Sequence, residues 1–335
     1  MFTAESFCNA VWGFSYSKMP TYSKGEYKTF EIPKKGGTRT ITYLEKESIL
    51  FSLQQKLLRN YLETLPLPTC TKGFVRGESY KEFLSAHISS RFFLRIDISS
   101  FFPSITTEII SSELSNYLHL GKEDLETVLS LISDMVTVEG VLPQGATTSP
   151  AISNLVMARL DQRILKYCQI FDINYTRYAD DLLFSSKEFD FKNKPWFLSK
   201  IKNILKTHNF SLNYSKIKYG EEEISLNGYV ISSKELRLSR NRLSDVRKVI
   251  VFINNNFELL RESKTSEFIA MINAEELRNR NLSKFPFCSV FQLSQYLCGM
   301  RAYLISWVEP DLHSPFQKEL CRLIRRTERA IMLLQ

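Results

Sequence analysis

The chain has 335 residues, 44% of them hydrophobic and 24% charged, with 44 Lys and Arg against 36 Asp and Glu for a formal charge of +8. That composition is globular and excludes wholesale disorder; the length suits one large domain or two to three subdomains. The positive balance favours a polyanionic partner, either nucleic acid or an anionic surface, without proving one.

At the N-terminus, Met1 to Ser6 shows no basic segment leading into an apolar run, so no secretory leader is expected and the cytoplasm is the expected compartment. Tyr27 to Pro33 and Thr38 to Tyr43 predict a hairpin whose turn, Lys34-Lys35-Gly36-Gly37, carries positive charge. Ile49, Leu50, Leu53, Leu57, Leu58 and Tyr61 keep helical phase within Glu47–Leu62. Phe92 to Ile96 reads as a short, central strand with Asp97 at its end. Ser149 and Pro150 read as the N-cap and first position of a helix carrying Ile152, Leu155, Val156, Leu160 and Ile164. Ile173–Tyr178 and Leu182–Ser185 predict two strands around a turn of Ala179, Asp180 and Asp181. A helix from Pro195 to His208 and a hairpin around Gly228 follow.

Beyond Ser233 the pattern turns helical and basic. Lys234 to Gln335 holds 17 Lys and Arg against 11 Asp and Glu, a balance of +6 out of the whole +8. From Ser314, one helix aligns Lys318, Arg322, Arg325, Arg326 and Arg329; a solvated face and a grip on a nucleic-acid backbone fit that pattern equally well. The longest apolar runs, such as Val249–Ile253, are far short of the roughly 20 residues a membrane span needs, so no membrane partner is expected.

Six cysteines are scattered without a CxxC pair and four histidines stand far apart, which disfavours a zinc site, a disulfide framework and a Ser-His-Asp hydrolase. Carboxylates are the better candidates. Asp180 and Asp181 sit at a turn anchored by apolar strands, and pairing the Phe92–Ile96 strand with that hairpin would bring Asp97 to the same edge. Clustered carboxylates resist joint ionisation, so the arrangement calls for a hard divalent cation. Mg²⁺ fits, and two such ions about 3.5–4 Å apart support phosphoryl transfer. A polymerase needs further parts. Lys34, Lys35 and Arg39 could meet a triphosphate, Gln144 and Gly145 could let backbone approach a base or sugar, Phe102 could exclude a 2′-hydroxyl, and Lys216 could protonate pyrophosphate. Taken singly, these read as a solvated turn, a packed ring and a surface lysine.

Together the residues resemble a family. Tyr178-Ala179-Asp180-Asp181 is similar to the YxDD box of reverse transcriptases, Leu94 to Ile105 resembles the strand carrying their first metal-binding Asp, and Leu142 to Pro150 resembles their PQGxxxSP box, in the same order. Lys34 to Arg39 resembles the fingertip hairpin, Gly73 to Ser79 a fingers motif, Leu226 to Tyr229 the primer grip, and Gln292 to Trp307 a thumb helix. The resemblance implies an α+β right-hand polymerase with an antiparallel palm sheet and a mainly helical thumb. It implies fingers over residues 1–90 with 106–140 interleaved, a palm over 91–105 and 141–233, and a thumb over 234–335.

Carried over, Asp97, Asp180 and Asp181 would hold two Mg²⁺ ions, Phe102 would gate the sugar, Gln144 and Gly145 would line the pocket and Arg39 would contact the triphosphate, beside Lys34, Lys35 and Lys216 as the nucleotide-binding candidates read from the residues themselves. Arg278, Arg280, Lys284, Arg322, Arg325, Arg326 and Arg329 would contact nucleic acid. The implied partners are a structured non-coding RNA serving as template or primer, nascent DNA and deoxynucleoside triphosphates, with an effector protein as a further candidate. The implied role is bacterial anti-phage defence of the retron type. Two boxes depart from that type: Phe83 to His87 keeps the His of an Asn-Ala-x-x-His box without its Asn, and Leu226-Asn227-Gly228 stands where Val-Thr-Gly is usual. A defence-associated reverse transcriptase outside the retrons, untemplated or protein-primed polymerisation, and a non-catalytic RNA-binding scaffold remain open; the intact Asp set argues against the scaffold.

Overall fold

The computed structural model describes residues 3–34, 37–278, 286–309 and 314–335, with the side chains of 34 and 275–278 outside that description. The chain divides into two compact units, Met1–Ile224 with Ser232–Lys234, and Ser225–Ile231 with Glu235–Gln335.

In the first unit, α1 (Ala4–Trp12) opens on a capping box between Thr3 and Ser6. β1 (Tyr27–Lys34) and β2 (Gly37–Leu44) pair antiparallel from Tyr27↔Leu44 to Lys34↔Gly37, forming the expected hairpin. α2 (Ile49–Asn60) starts where the Ser48 side chain accepts from the Phe51 amide, and it buries Leu50, Leu53 and Leu57. After α3 (Tyr80–Ser85) comes β3 (Phe92–Ser99), then α4 (Thr107–Leu114), α5 (Lys122–Val136) and α6 (Ser149–Gln169). β4 (Asn174–Tyr178) and β5 (Asp181–Ser186) form the second hairpin, followed by α7 (Pro195–Lys206), β6 (Ser211–Leu212) and β7 (Lys218–Glu221).

The strands lie in the order β7-β3-β5-β4, every pairing antiparallel, with β6 against the end of β3. β3 is therefore central, as its apolar run predicts. Side chains alternate across a strand. Leu94, Ile96 and Ile98 of β3 and Leu182 and Phe184 of β5 join Ile152, Leu155, Val156, Leu160 and Ile164 of α6 in one apolar core. That leaves Arg95 and Asp97 together on the other face of β3.

Two local expectations are corrected. β3 runs on through Ile98 to Ser99, so Asp97 lies inside the strand and not at its end. Thr148, not Ser149, is the N-cap of α6, and it makes no side-chain capping bond; Thr148 Oγ1 and Ser149 Oγ are buried with no hydrogen-bond partner among the described residues. Pro150 in the first turn is enough to start the helix there.

β8 (Glu223–Leu226) carries the chain into the second unit, where Asn227 and Gly228, both at positive φ (47° and 88°), make the tight turn to β9 (Tyr229–Ser232). β9 pairs with β10 (Leu236–Leu238). The helices α8 (Arg240–Asn255), α9 (Phe257–Arg261), α10 (Thr265–Arg278), α11 (Val290–Ile305) and α12 (Pro315–Leu333) complete the unit. Serines 239, 289 and 314 cap α8, α11 and α12. Leu243, Val246, Ile250, Leu293, Leu297, Leu320 and Leu323 are buried in this unit. No described helix is long and apolar enough to cross a membrane.

Candidate active site

Antiparallel register builds the site. Asp97 on β3 stands directly opposite Asp181, the first residue of β5. Tyr178 pairs with Asp181, leaving Ala179 and Asp180 as a two-residue hairpin loop. Such loops need residues at positive φ, and Ala179 supplies it at 56°. For a non-glycine residue that backbone costs on the order of 1–3 kcal/mol. The Ile98 amide donates to the Asp180 carbonyl (3.0 Å), tying the loop to β3.

All three expected carboxylates therefore share one edge. Burial, then the charges of Asp181 and Asp97, push the Asp180 carboxyl up to about 6. Burial also raises Asp181, against the opposing pull of Arg95. Arg95 donates from Nε to Asp181 Oδ1 at 2.9 Å and from Nη2 to the same oxygen. Lys216, in a 3₁₀ turn before β7, donates from Nζ to both oxygens of Asp97 at 3.1 and 2.9 Å. Two cations are thus drawn onto the carboxylates. Among the described residues no three His, Cys, Asp or Glu side chains close into a ready-made cage for a metal ion. The donor set still fits Mg²⁺, which takes one or two carboxylate oxygens and leaves the rest of its shell to water and phosphates.

The other expected residues distribute unevenly. Phe102 lies half-buried in a 3₁₀ turn after β3, its ring 6.4 Å from that of Phe74, which in turn is 6.2 Å from the ring of Tyr178. Gln144 is half-buried, and its carbonyl accepts from the Thr42 amide at 2.8 Å. Gly145 sits at φ 120°, where a Cβ would come within 2.7 Å of Ile41 and 2.9 Å of the Thr42 carbonyl. The close approach it permits is to β2. Arg39 is exposed on β2, opposite Ile32. Lys34 ends β1, and Lys35 lies outside the described residues. Arg322, Arg325, Arg326 and Arg329 are all exposed on α12, in the second unit. Arg278 ends α10; Arg280 and Lys284 lie outside the described residues.

Sequence reasoning missed Arg95 and Phe74. Arg95 had a signal, since residues two apart on a strand share a face. Phe74, at φ 60°, had none beyond the Gly73 to Ser79 motif. His87 lies between β4 and β5. It is wholly buried, and burial pushes it down to about 3, so the ring is neutral. Thr176 Oγ1 donates to the Phe83 carbonyl and so accepts from His87 Nε2 (2.7 Å), while Nδ1 accepts from Ser185 (2.7 Å). His87 ties β4 to β5 from inside.

A mixed fold with antiparallel sheets and a carboxylate edge fits a polymerase of the reverse transcriptase class. A family model described as reverse transcriptase (RNA-dependent DNA polymerase) matches residues 32–231, more than half of the chain, and the chain belongs to that family. Among its relatives, the retron Ec86 reverse transcriptase of Escherichia coli is 28% identical over 259 residues, 75% of this chain and 78% of that protein. The retron Mx65 reverse transcriptase of Myxococcus xanthus is 34% identical over 176 residues, 48% of this chain but 41% of that longer protein. An apo telomerase from Candida tropicalis shares the fold at a TM-score of 0.51 and 12% identity, covering 93% of this chain and 58% of its own. A bacterial retron-type reverse transcriptase, an RNA-directed DNA polymerase, is what these relationships make of the chain.

Proposed function

We propose that the chain copies a structured non-coding RNA into DNA, adding deoxynucleotides to a hydroxyl by phosphoryl transfer at the β3–β5 edge. The observation that carries this reading is Asp97 facing Asp181 across the two strands, with Asp180 beside them and Lys216 and Arg95 already drawn to the pair. Asp97 and Asp180 would hold divalent cations, Mg²⁺ by donor chemistry, and Asp181 would complete the cluster with one oxygen committed to Arg95. Two such ions, when bound, would activate the attacking hydroxyl and stabilise the leaving oxygen.

The chain's own residues divide the remaining work. Lys216 neutralises Asp97 now and is the candidate to give a proton to departing pyrophosphate. Phe102 would stand under the sugar and exclude a 2′-hydroxyl, with Phe74 beside it. Arg39, Lys34 and Lys35 would meet the triphosphate; Gln144 and Gly145, bound to β2, would fix the hairpin that carries them. The exposed arginines of α12 would hold duplex through its phosphates without reading bases. In this reading the first unit contains the fingers and most of the palm, and the second contains the primer-grip hairpin together with the thumb. A place in anti-phage defence rests only on what the family resemblance implies.

Protein purified from its native locus with bound nucleic acid in place tests the reading. That nucleic acid is sequenced, then Mg²⁺ and labelled deoxynucleotides are added with or without RNase pretreatment. One discrete RNA, copied into a defined DNA whose synthesis RNase prevents, is the expected result. Synthesis indifferent to RNase, with homopolymeric product, would replace templated copying by untemplated polymerisation.

A further inference from the structure

Arg177 is the residue immediately before the Tyr178–Asp181 hairpin turn, and it is fully buried. So is Asp161 of α6, its ion-pair partner. A buried guanidinium has five N–H donors to satisfy, and here all five are used. Nε donates to Asp161 Oδ2 at 2.9 Å, and Nη2 donates to Asp161 Oδ2 (2.7 Å) and Thr71 Oγ1 (3.3 Å). Nη1 donates to Asn154 Oδ1 (3.0 Å) and to the carbonyl of Ala179 (3.2 Å). The last contact matters most, because Ala179 is the residue held at positive φ and its carbonyl belongs to the peptide that carries Asp180.

The partners are themselves fixed. Tyr175 donates to Asp161 Oδ1 (2.8 Å), and Asn154 Nδ2 donates to the Gly73 carbonyl (2.9 Å). The segment from Cys70 to Gly73 runs along β4: the Arg177 amide donates to the Cys70 carbonyl and the Arg177 carbonyl accepts from Lys72, both at 2.8 Å. Gly73 closes the other side. A Cβ there would come within 2.6 Å of the Ala179 nitrogen. The turn is gripped between a glycine backbone and a guanidinium.

A buried ion pair is a poor source of stability, since apolar residues of similar volume commonly do as well or better. What it supplies is a fixed geometry, and this one ends on the carboxylate-bearing turn. We propose that Arg177, oriented by Asp161 and Asn154, is a positioning residue that locks the Ala179–Asp180 peptide and so sets where the Asp180 carboxylate points. The proposal rests on the reading of Asp97, Asp180 and Asp181 as the reacting carboxylates.

Burst kinetics of single-nucleotide addition on a preannealed RNA template and DNA primer test it, because they separate the fraction of competent molecules (the amplitude) from the chemical rate. R177K keeps the charge beside Asp161 but cannot reach Asn154 and Ala179 together. G73A leaves every charge in place and presses on the turn. R177M combined with D161L removes the pair without stranding a charge. The expected result is a burst rate lowered about ten- to a hundredfold, as small misplacements of reacting groups produce, with the amplitude and the KM for the deoxynucleotide close to wild type. A burst rate unchanged in R177K and G73A would overturn the proposal. So would a lost amplitude at unchanged rate, which is what a merely structural role gives. If the double variant fails to fold, the two single variants still decide. Asp180→Asn run alongside checks the underlying reading separately: activity surviving in that variant would remove the carboxylate assignment, whatever the brace variants do.

Discussion

Charge is used in opposite ways at the β3–β5 edge and on α12. At the edge, Asp97 and Asp181 are buried and each is bound by a cation from the same unit, Lys216 or Arg95. On α12, Arg322, Arg325, Arg326 and Arg329 are exposed, and no ion pair fixes them among the described residues. A buried charge must be paired and held, and its position is then defined to a fraction of an ångström. An exposed charge keeps its freedom and acts at a distance that salt screens. Chemistry suits the first arrangement and retention of a polyanion the second.

That contrast can be broken or sharpened by substitution. On the fixed side, Lys216→Met should lower kcat by at least about a hundredfold in steady-state primer extension, the usual contribution of a positioned proton donor; an unchanged kcat would leave Lys216 as a counter-ion only. Phe102→Ala should raise ribonucleotide incorporation relative to deoxynucleotide by about ten- to a hundredfold, and unchanged discrimination in competition assays would remove the gate. On the free side, replacing all four α12 arginines by Gln should leave kcat on saturating template unchanged. It should lower the slope of log affinity against log salt by up to about 3.6, since each of the four lost phosphate contacts removes about 0.9. An unchanged slope would return α12 to a solvated face.

The smallest effect concerns His87. Its folded value near 3 lies below the unfolded value of about 6.5, so the unfolded chain binds more protons between those limits. Stability is whole above about pH 6.5 and falls as pH drops toward 3, by at most about 1.4 kcal/mol per pH unit for one proton. His87→Gln should flatten that dependence in urea unfolding at pH 7.5 and pH 5; an unaltered difference between the two would show that other groups dominate.

Much of this was legible in the sequence, and the gaps have physical reasons. Apolar runs marked β3, β4 and β5 and helical patterning marked α2 and α6, because each buries one face or both. The Asn227-Gly228 turn was legible because its backbone needs positive φ. The apolar run stops at Ile96, which puts Asp97 at a strand end; the ladder in fact continues through Ile98, which pairs with Leu212. Ser149 before Pro150 has the pattern of a cap, while in the fold its hydroxyl is buried without a partner among the described residues. The pairing of Arg95 with Asp181 and the five bonds of Arg177 depend on register between segments up to 106 residues apart, and no local pattern encodes that. His87 stands in the Phe83–His87 box, and its hydrogen-bond partners are strand hydroxyls that only the fold assembles.

The most direct measurement combines Asp180→Asn with Asp181→Asn and follows two quantities on one preparation, RNA-templated DNA synthesis and binding of the same RNA. The account predicts that synthesis disappears while binding, which it assigns to exposed basic surface and not to the carboxylate edge, persists. DNA synthesis surviving in that double variant would contradict it.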